Sequence, residues 1–110
     1  MMTESIRREL TFPQSPETVW RALTDSARMA EWLMPNDFEP RVGHHFTFRT
    51  QPNPQAGFDG IVHCEVVECT PPGRLVYTWA GGGVDTRVTY QVEPEGAGTR
   101  LHFEQSGFDL

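Results

Sequence analysis

Lysine is missing altogether: the nine basic residues of this 110-residue chain are all arginines, set against fifteen acids. The net charge of −6 removes any general electrostatic pull toward nucleic acid or anionic lipid, and the arginines are scattered rather than clustered. No apolar run approaches the length of a membrane span, and Met1–Leu10 holds no apolar core of signal-peptide type. A soluble cytoplasmic protein with neither nucleic-acid nor membrane partners is therefore expected. Cysteine is scarce as well, and Cys64 and Cys69 are five apart. On one strand they would face opposite sides unless a bulge intervenes, so two unpaired buried thiols are expected rather than a disulfide. Repeats, linkers and low-complexity segments are absent too, which leaves one domain over residues 1–110.

What the chain has in quantity is punctuation. Ten glycines and nine prolines, with a mean hydropathy of −0.48, suit many short strands joined by turns. Ser5 to Phe12 reads as a first strand with Ile6, Leu10 and Phe12 on one face. Ser15 then suits an N-cap, Pro16 a first helical position and Glu17 the positive end of the dipole. Val19, Trp20 and Leu23 share one face of that helix. Asp25 restarts a second helix carrying Met29, Trp32 and Leu33, and Pro35 stops it. Helices this short persist only by packing, so Trp20 and Trp32 are expected to lie buried against a sheet.

The remainder alternates with a period of two. Gly43 opens a strand with Phe46 and Phe48 on one face, and Gln51–Gly57 is a surface loop. Phe58–Cys69 is a long strand, broken by Thr70-Pro-Pro-Gly73. Leu75, Tyr77 and Trp79 alternate next, and Gly81-Gly-Gly83 turns the chain. Val84, Val88, Tyr90 and Val92 follow on one face, then a turn over Glu93–Gly98, then Leu101 and Phe103. The order is strand, two helices, then about five or six strands in an antiparallel meander, an α+β class with the helices over one face of a curved sheet.

Several segments in this order resemble the START-like helix-grip superfamily (SRPBCC), in the branch related to the activator of the heat-shock protein ninety ATPase. They are Arg8-Glu9, then Pro16 with Val19–Asp25, Trp32 with Pro35, and Gly43. Glu68–Pro72 leading into Arg74–Trp79, Thr99–Leu101 and Ser106–Phe108 complete the set. The chain departs from the branch at His44, where a second glycine is common, and at Gln105, where a histidine is common. Family members continue past Ser-Gly-Phe into a long C-terminal helix across the concave sheet, whereas this sequence stops at Leu110. The resemblance thus implies a helix-grip domain lacking that helix. Its concave face would be covered by a longer native chain, covered by a second copy in a symmetric dimer, or left as an open groove.

The same resemblance implies a cavity for a small apolar ligand, lined by Phe46, Phe48, Trp79, Val88, Tyr90 and Phe103, with Trp32 near one mouth. Pattern alone reads these aromatics equally as core filling. Binding without chemistry, no cofactor and no catalytic residue are the expectation. Two alternatives stay open: an interaction module with a chaperone partner, or a polyketide cyclase or dehydratase using groups such as Glu65, Glu68, Asp85, Glu104 or a histidine. No metal is expected. His44, His45, His63, His102 and Cys64 raise the question, but zinc needs about four converging ligands, and His44 and His45 point opposite ways on a strand, as do His63 and Cys64. Gly81-Gly-Gly83 lies between strands rather than opening a helix, so it is no phosphate loop, and a Gly-x-Ser-x-Gly elbow is absent.

Overall fold

The computed structural model describes residues 3–109. Met1, Met2 and Leu110 lie outside them, and with them the expectations tied to the two chain ends. The elements run β1 (Thr3–Phe12), α1 (Pro16–Thr24), α2 (Ser26–Trp32), β2 (His45–Arg49), a 3₁₀ turn (Pro54–Ala56), β3 (Ile61–Thr70), β4 (Arg74–Gly81), β5 (Val84–Glu95) and β6 (Gly98–Asp109). All strands join one curved antiparallel sheet in the order β1-β6-β5-β4-β3-β2. β1 and β2 therefore sit on opposite edges, and the intervening chain must cross the sheet. The two helices make that crossing over the concave face, with α1 resting on β5 and β6. This is an α+β helix-grip fold, and no long helix follows β6 among the described residues.

The helices begin where their caps dictate. The Ser15 hydroxyl accepts from the Thr18 amide at 3.3 Å, and the Asp25 carboxylate accepts from the Arg28 amide at 3.1 Å. Asp25 serves twice, because its own N–H also closes α1 on the Arg21 carbonyl at 3.0 Å. Val19, Trp20 and Leu23 are buried as their spacing predicts, and so is Met29. Trp32 is not: it is 45% exposed. α2 ends at Trp32, three residues before Pro35, and the Trp32 ring lies at an open groove, where it meets Tyr90 of β5 on one side only.

Strand limits shift slightly from those the pattern suggests. Gly43 stands in the turn before β2, at φ +87, where its N–H donates to the Val66 carbonyl at 2.8 Å. Phe58 pairs with Asn53 across a one-bridge loop, and β3 starts at Ile61. β5 holds its ladder to Glu95, which leaves only Gly96-Ala97 as the turn. The pairing of β3 with β4 slips between Val66 and Glu68, a bulge of one residue. That slip places Cys69 opposite inward-facing Leu75, so both cysteines face the core. Both thiols are free, and burial followed by the charge of Asp37 pushes Cys64 up to about 12.

One part of the core, around Phe46, lies beneath the segment joining α2 to β2. Phe38 drops onto Phe46 edge to face, with ring centres 5.0 Å apart. Asn36 ties this segment down: its amide donates to the carbonyls of Ser26 and Met34, and its carbonyl accepts from the Phe38 N–H. Asp37 accepts from the Thr47 amide at 2.7 Å, which holds its carboxyl below the ordinary range. The half of the concave face built by β2, β3 and β4 is thereby sealed. The half built by β5, β6 and β1 has no such lid.

Candidate functional site

The unsealed half is a groove of about 710 Å³. Its floor is the inward row of β5, β6 and β1, and its facing wall is α1 and α2. The floor follows from register: Arg8 pairs with Phe103, and Phe103 with Tyr90, so one row crosses three strands. Tyr90 meets Phe103 at a 5.4 Å ring separation, and Trp32 reaches down from α2 to meet Tyr90 edge-on at 6.4 Å. The Trp32 indole N–H donates to the Ala22 carbonyl at 2.7 Å, which locks the two helices together and fixes the ring at the lip. Leu10, 48% exposed, forms part of the opposite lip.

Tyr90 connects the groove to the sealed core. Its hydroxyl lies 3.2 Å from that of Tyr77, which is completely buried. Burial pushes Tyr90 up to about 12 and Tyr77 well above its ordinary value, the neighbouring phenol adding to the shift of Tyr77. Both hydroxyls are therefore neutral at physiological pH. Because the folded state holds these phenols protonated, their contribution to stability is complete below about pH 10 and is lost as the pH rises toward about 12. Thermal unfolding across that range should show a steep alkaline loss, and a Tyr77→Phe/Tyr90→Phe variant should show a shallower one. Equal slopes would mean the pair does not govern alkaline stability.

Of the seven residues expected to line a cavity, five meet here: Trp32, Trp79, Val88, Tyr90 and Phe103. Phe46 and Phe48 do not. They lie outside the groove lining, packed against Tyr77 and Trp79 beneath the Phe38 segment. The pattern missed the β1 contribution, Arg8, Leu10 and Phe12, along with Leu101, Gln105 and the helix residues Thr18, Ala22 and Arg28. A signal was present for two of them. Arg8 is in phase with Ile6, Leu10 and Phe12, and Gln105 with Leu101 and Phe103, so polar groups occupied positions that should face inward.

Gln105 and Gln14, two polar residues of the groove lining, are anchored. Gln105 donates to the Thr86 hydroxyl at 2.9 Å, and that hydroxyl donates to the Trp79 carbonyl at 3.3 Å. The Thr99 hydroxyl, fully buried, donates to the Gln14 carbonyl at 2.7 Å and holds the chain as it leaves β1. Glu65, Glu68, Asp85 and Glu104 lie away from the groove lining, as do all four histidines. His44 stacks on Phe46 and hydrogen-bonds the Asp37 carbonyl, while His102 lies between Glu9 and Glu93 on the outer face. Among the described residues, no three His, Cys, Asp or Glu side chains converge as metal ligands. None of the described helices is long and apolar enough to cross a membrane.

A curved antiparallel sheet gripping two short helices, with an apolar groove between them, defines a START-like domain. The family model described as Activator of Hsp90 ATPase homolog 1-like protein matches residues 13–110, and the chain belongs to that family. Among solved structures it is similar to protein MLL2253 from Mesorhizobium loti, at 36% identity and a TM-score of 0.87, over 96% of this chain and 78% of that one. Protein BH1534 from Bacillus halodurans is 30% identical with a TM-score of 0.79, over 96% of this chain and 70% of that one. CalU16 from Micromonospora echinospora is 27% identical with a TM-score of 0.80, over 97% of this chain but only 62% of that one. No curated protein matches the sequence.

Proposed function

We propose that this protein binds a small, largely apolar molecule in the groove between its helices and β5, β6 and β1, without transforming it. The observation that carries this reading is the unsealed half of the concave face, a groove of about 710 Å³ with aromatic and aliphatic walls. That is the size and character of a small-molecule site. The ionisable side chains within its lining are two arginines and a phenol locked to its neighbour, a set that lacks the acid–base pair a cyclase or dehydratase would use. A cytoplasmic setting belongs to this reading and suits two free thiols. A chaperone ATPase as partner is the alternative that the family description supplies. A groove of molecular rather than protein dimensions favours the small molecule.

A second copy of the chain is the competing occupant, favoured by the exposed apolar side chains of Ile6, Leu10 and Trp32 along the open face. One experiment addresses both. The neutral dye N-phenyl-1-naphthylamine should bind with micromolar affinity and quench tryptophan emission. Light scattering at micromolar protein should give a dimer mass without dye and a monomer mass at saturation. A monomer that takes up no dye would sink both readings, because the concave face would then be closed from within.

A further inference from the structure

We propose that the groove selects ligands that carry a negative charge beside an apolar body, with Arg8 and Arg28 recognising the anionic group. This rests on the groove being a ligand site.

The charge of the groove runs against that of the chain. Fifteen acids outnumber nine arginines overall, yet the described lining contains two arginines and no carboxylate. Arg8 stands on the sheet side at the end of the row Arg8–Phe103–Tyr90. Arg28 stands on the helix side, one turn before Trp32, so the two face the groove from opposite walls. Among the described residues neither has a carboxylate within ion-pair distance, which is true also of Arg21, Arg49 and Arg87 outside the groove lining, whereas Arg7, Arg41, Arg74 and Arg100 each do. The contrast is sharpest between neighbours on β1. Arg7 points to the outer face and pairs with Glu104 at 2.7 Å. Arg8 is in register with the inward row and lines the groove, and its exposed side chain also borders a second depression with Arg7, Glu9, Glu93 and Glu104. One of its five N–H donors meets the Arg7 carbonyl and the rest have no partner among the described residues. A guanidinium beside apolar walls and without a protein counter-ion suits a carboxylate or sulfonate, which accepts two hydrogen bonds from its planar fork.

Two dyes that differ by one group test this. 8-Anilinonaphthalene-1-sulfonate is N-phenyl-1-naphthylamine with a sulfonate added. The wild type should bind the sulfonate more tightly than the neutral dye at low salt. Arg8→Gln/Arg28→Gln should weaken the sulfonate about tenfold, as expected for two partly solvated charge pairs, and leave the neutral dye within about twofold. Retained binding of the neutral dye also certifies that the variant is folded. Unchanged sulfonate affinity in the variant, or an equal loss for both dyes, would overturn charge recognition and leave the groove reading standing. Failure of the wild type to bind either dye would overturn the groove reading and this proposal together.

Discussion

Phe48→Ala should lower the unfolding free energy by about 3–5 kcal/mol, the range for emptying a sealed aromatic site. Phe48 is fully buried, with ring neighbours Trp79 at 5.3 Å, Phe46 at 5.4 Å and Tyr77 at 6.1 Å. Its backbone is bridged to Asn36, so the cover above it is pinned and cannot collapse into the vacated space. Urea denaturation followed by far-UV circular dichroism measures the loss. A change below about 1 kcal/mol would show that this ring fills no core and would return it to the list of groove residues. Trp32→Ala supplies the contrast. Half-exposed at the lip, Trp32 should cost only about 1 kcal/mol, chiefly for the packing and indole hydrogen bond it gives up.

The second large effect is expected at Gly98. A Cβ built there would collide with the main-chain oxygen of Phe12, on the strand that pairs with β6. The cause is space and not conformation, since Gly98 is not among the glycines with positive φ. Backbone atoms cannot step aside as a flexible side chain can, so Gly98→Ala must push β1 away where Phe12 pairs with Thr99. The expected cost is about 2–4 kcal/mol. Phe12 and Gln14 line the groove, so neutral dye binding should weaken several-fold in molecules that remain folded. A variant with wild-type melting temperature and dye affinity would mean the two strands separate freely at this point.

Both predictions depend on a distinction that periodicity carries only halfway. Alternation in β2 states that Phe46 and Phe48 share a face with each other and not with Thr47, and they do. It does not state what lies above that face. Phe38, which seals it, belongs to a segment without regular structure, fastened by Asn36 and Asp37 through hydrogen bonds that leave no periodic trace. Depth was therefore invisible for β2, whereas for β5 and β6 inward residues that are themselves buried, such as Val88, Tyr90 and Leu101, happen to border the groove. The helices show the same limit. Ser15 and Asp25 announce where each begins, and Val19, Trp20 and Leu23 which side is apolar. Whether the space between α2 and the sheet is filled or left as a groove has no periodic trace, and so the exposure of Trp32 is not legible from its spacing. The cysteines turned on a single bulge at Val66/Glu68, which no residue in that run advertises. Arg8 and Gln105 were readable, because each broke the phase of an apolar row.

The sheet order carries a consequence for how the protein is made. β3, β4, β5 and β6 join neighbour to neighbour by short turns, so their pairing closes small loops. β1 and β6 meet across almost the whole chain, as Arg7 and Glu104 do at a separation of 97 residues. Seams with the longest loops pay the largest closure entropy and form late. The β1–β6 seam, part of the groove floor, is on this entropy the seam expected to close last, and the groove is complete only once it has closed. A molecule that spans Leu10 and Phe103 there would touch the first strand and the last at once, and would act as a clasp on that join.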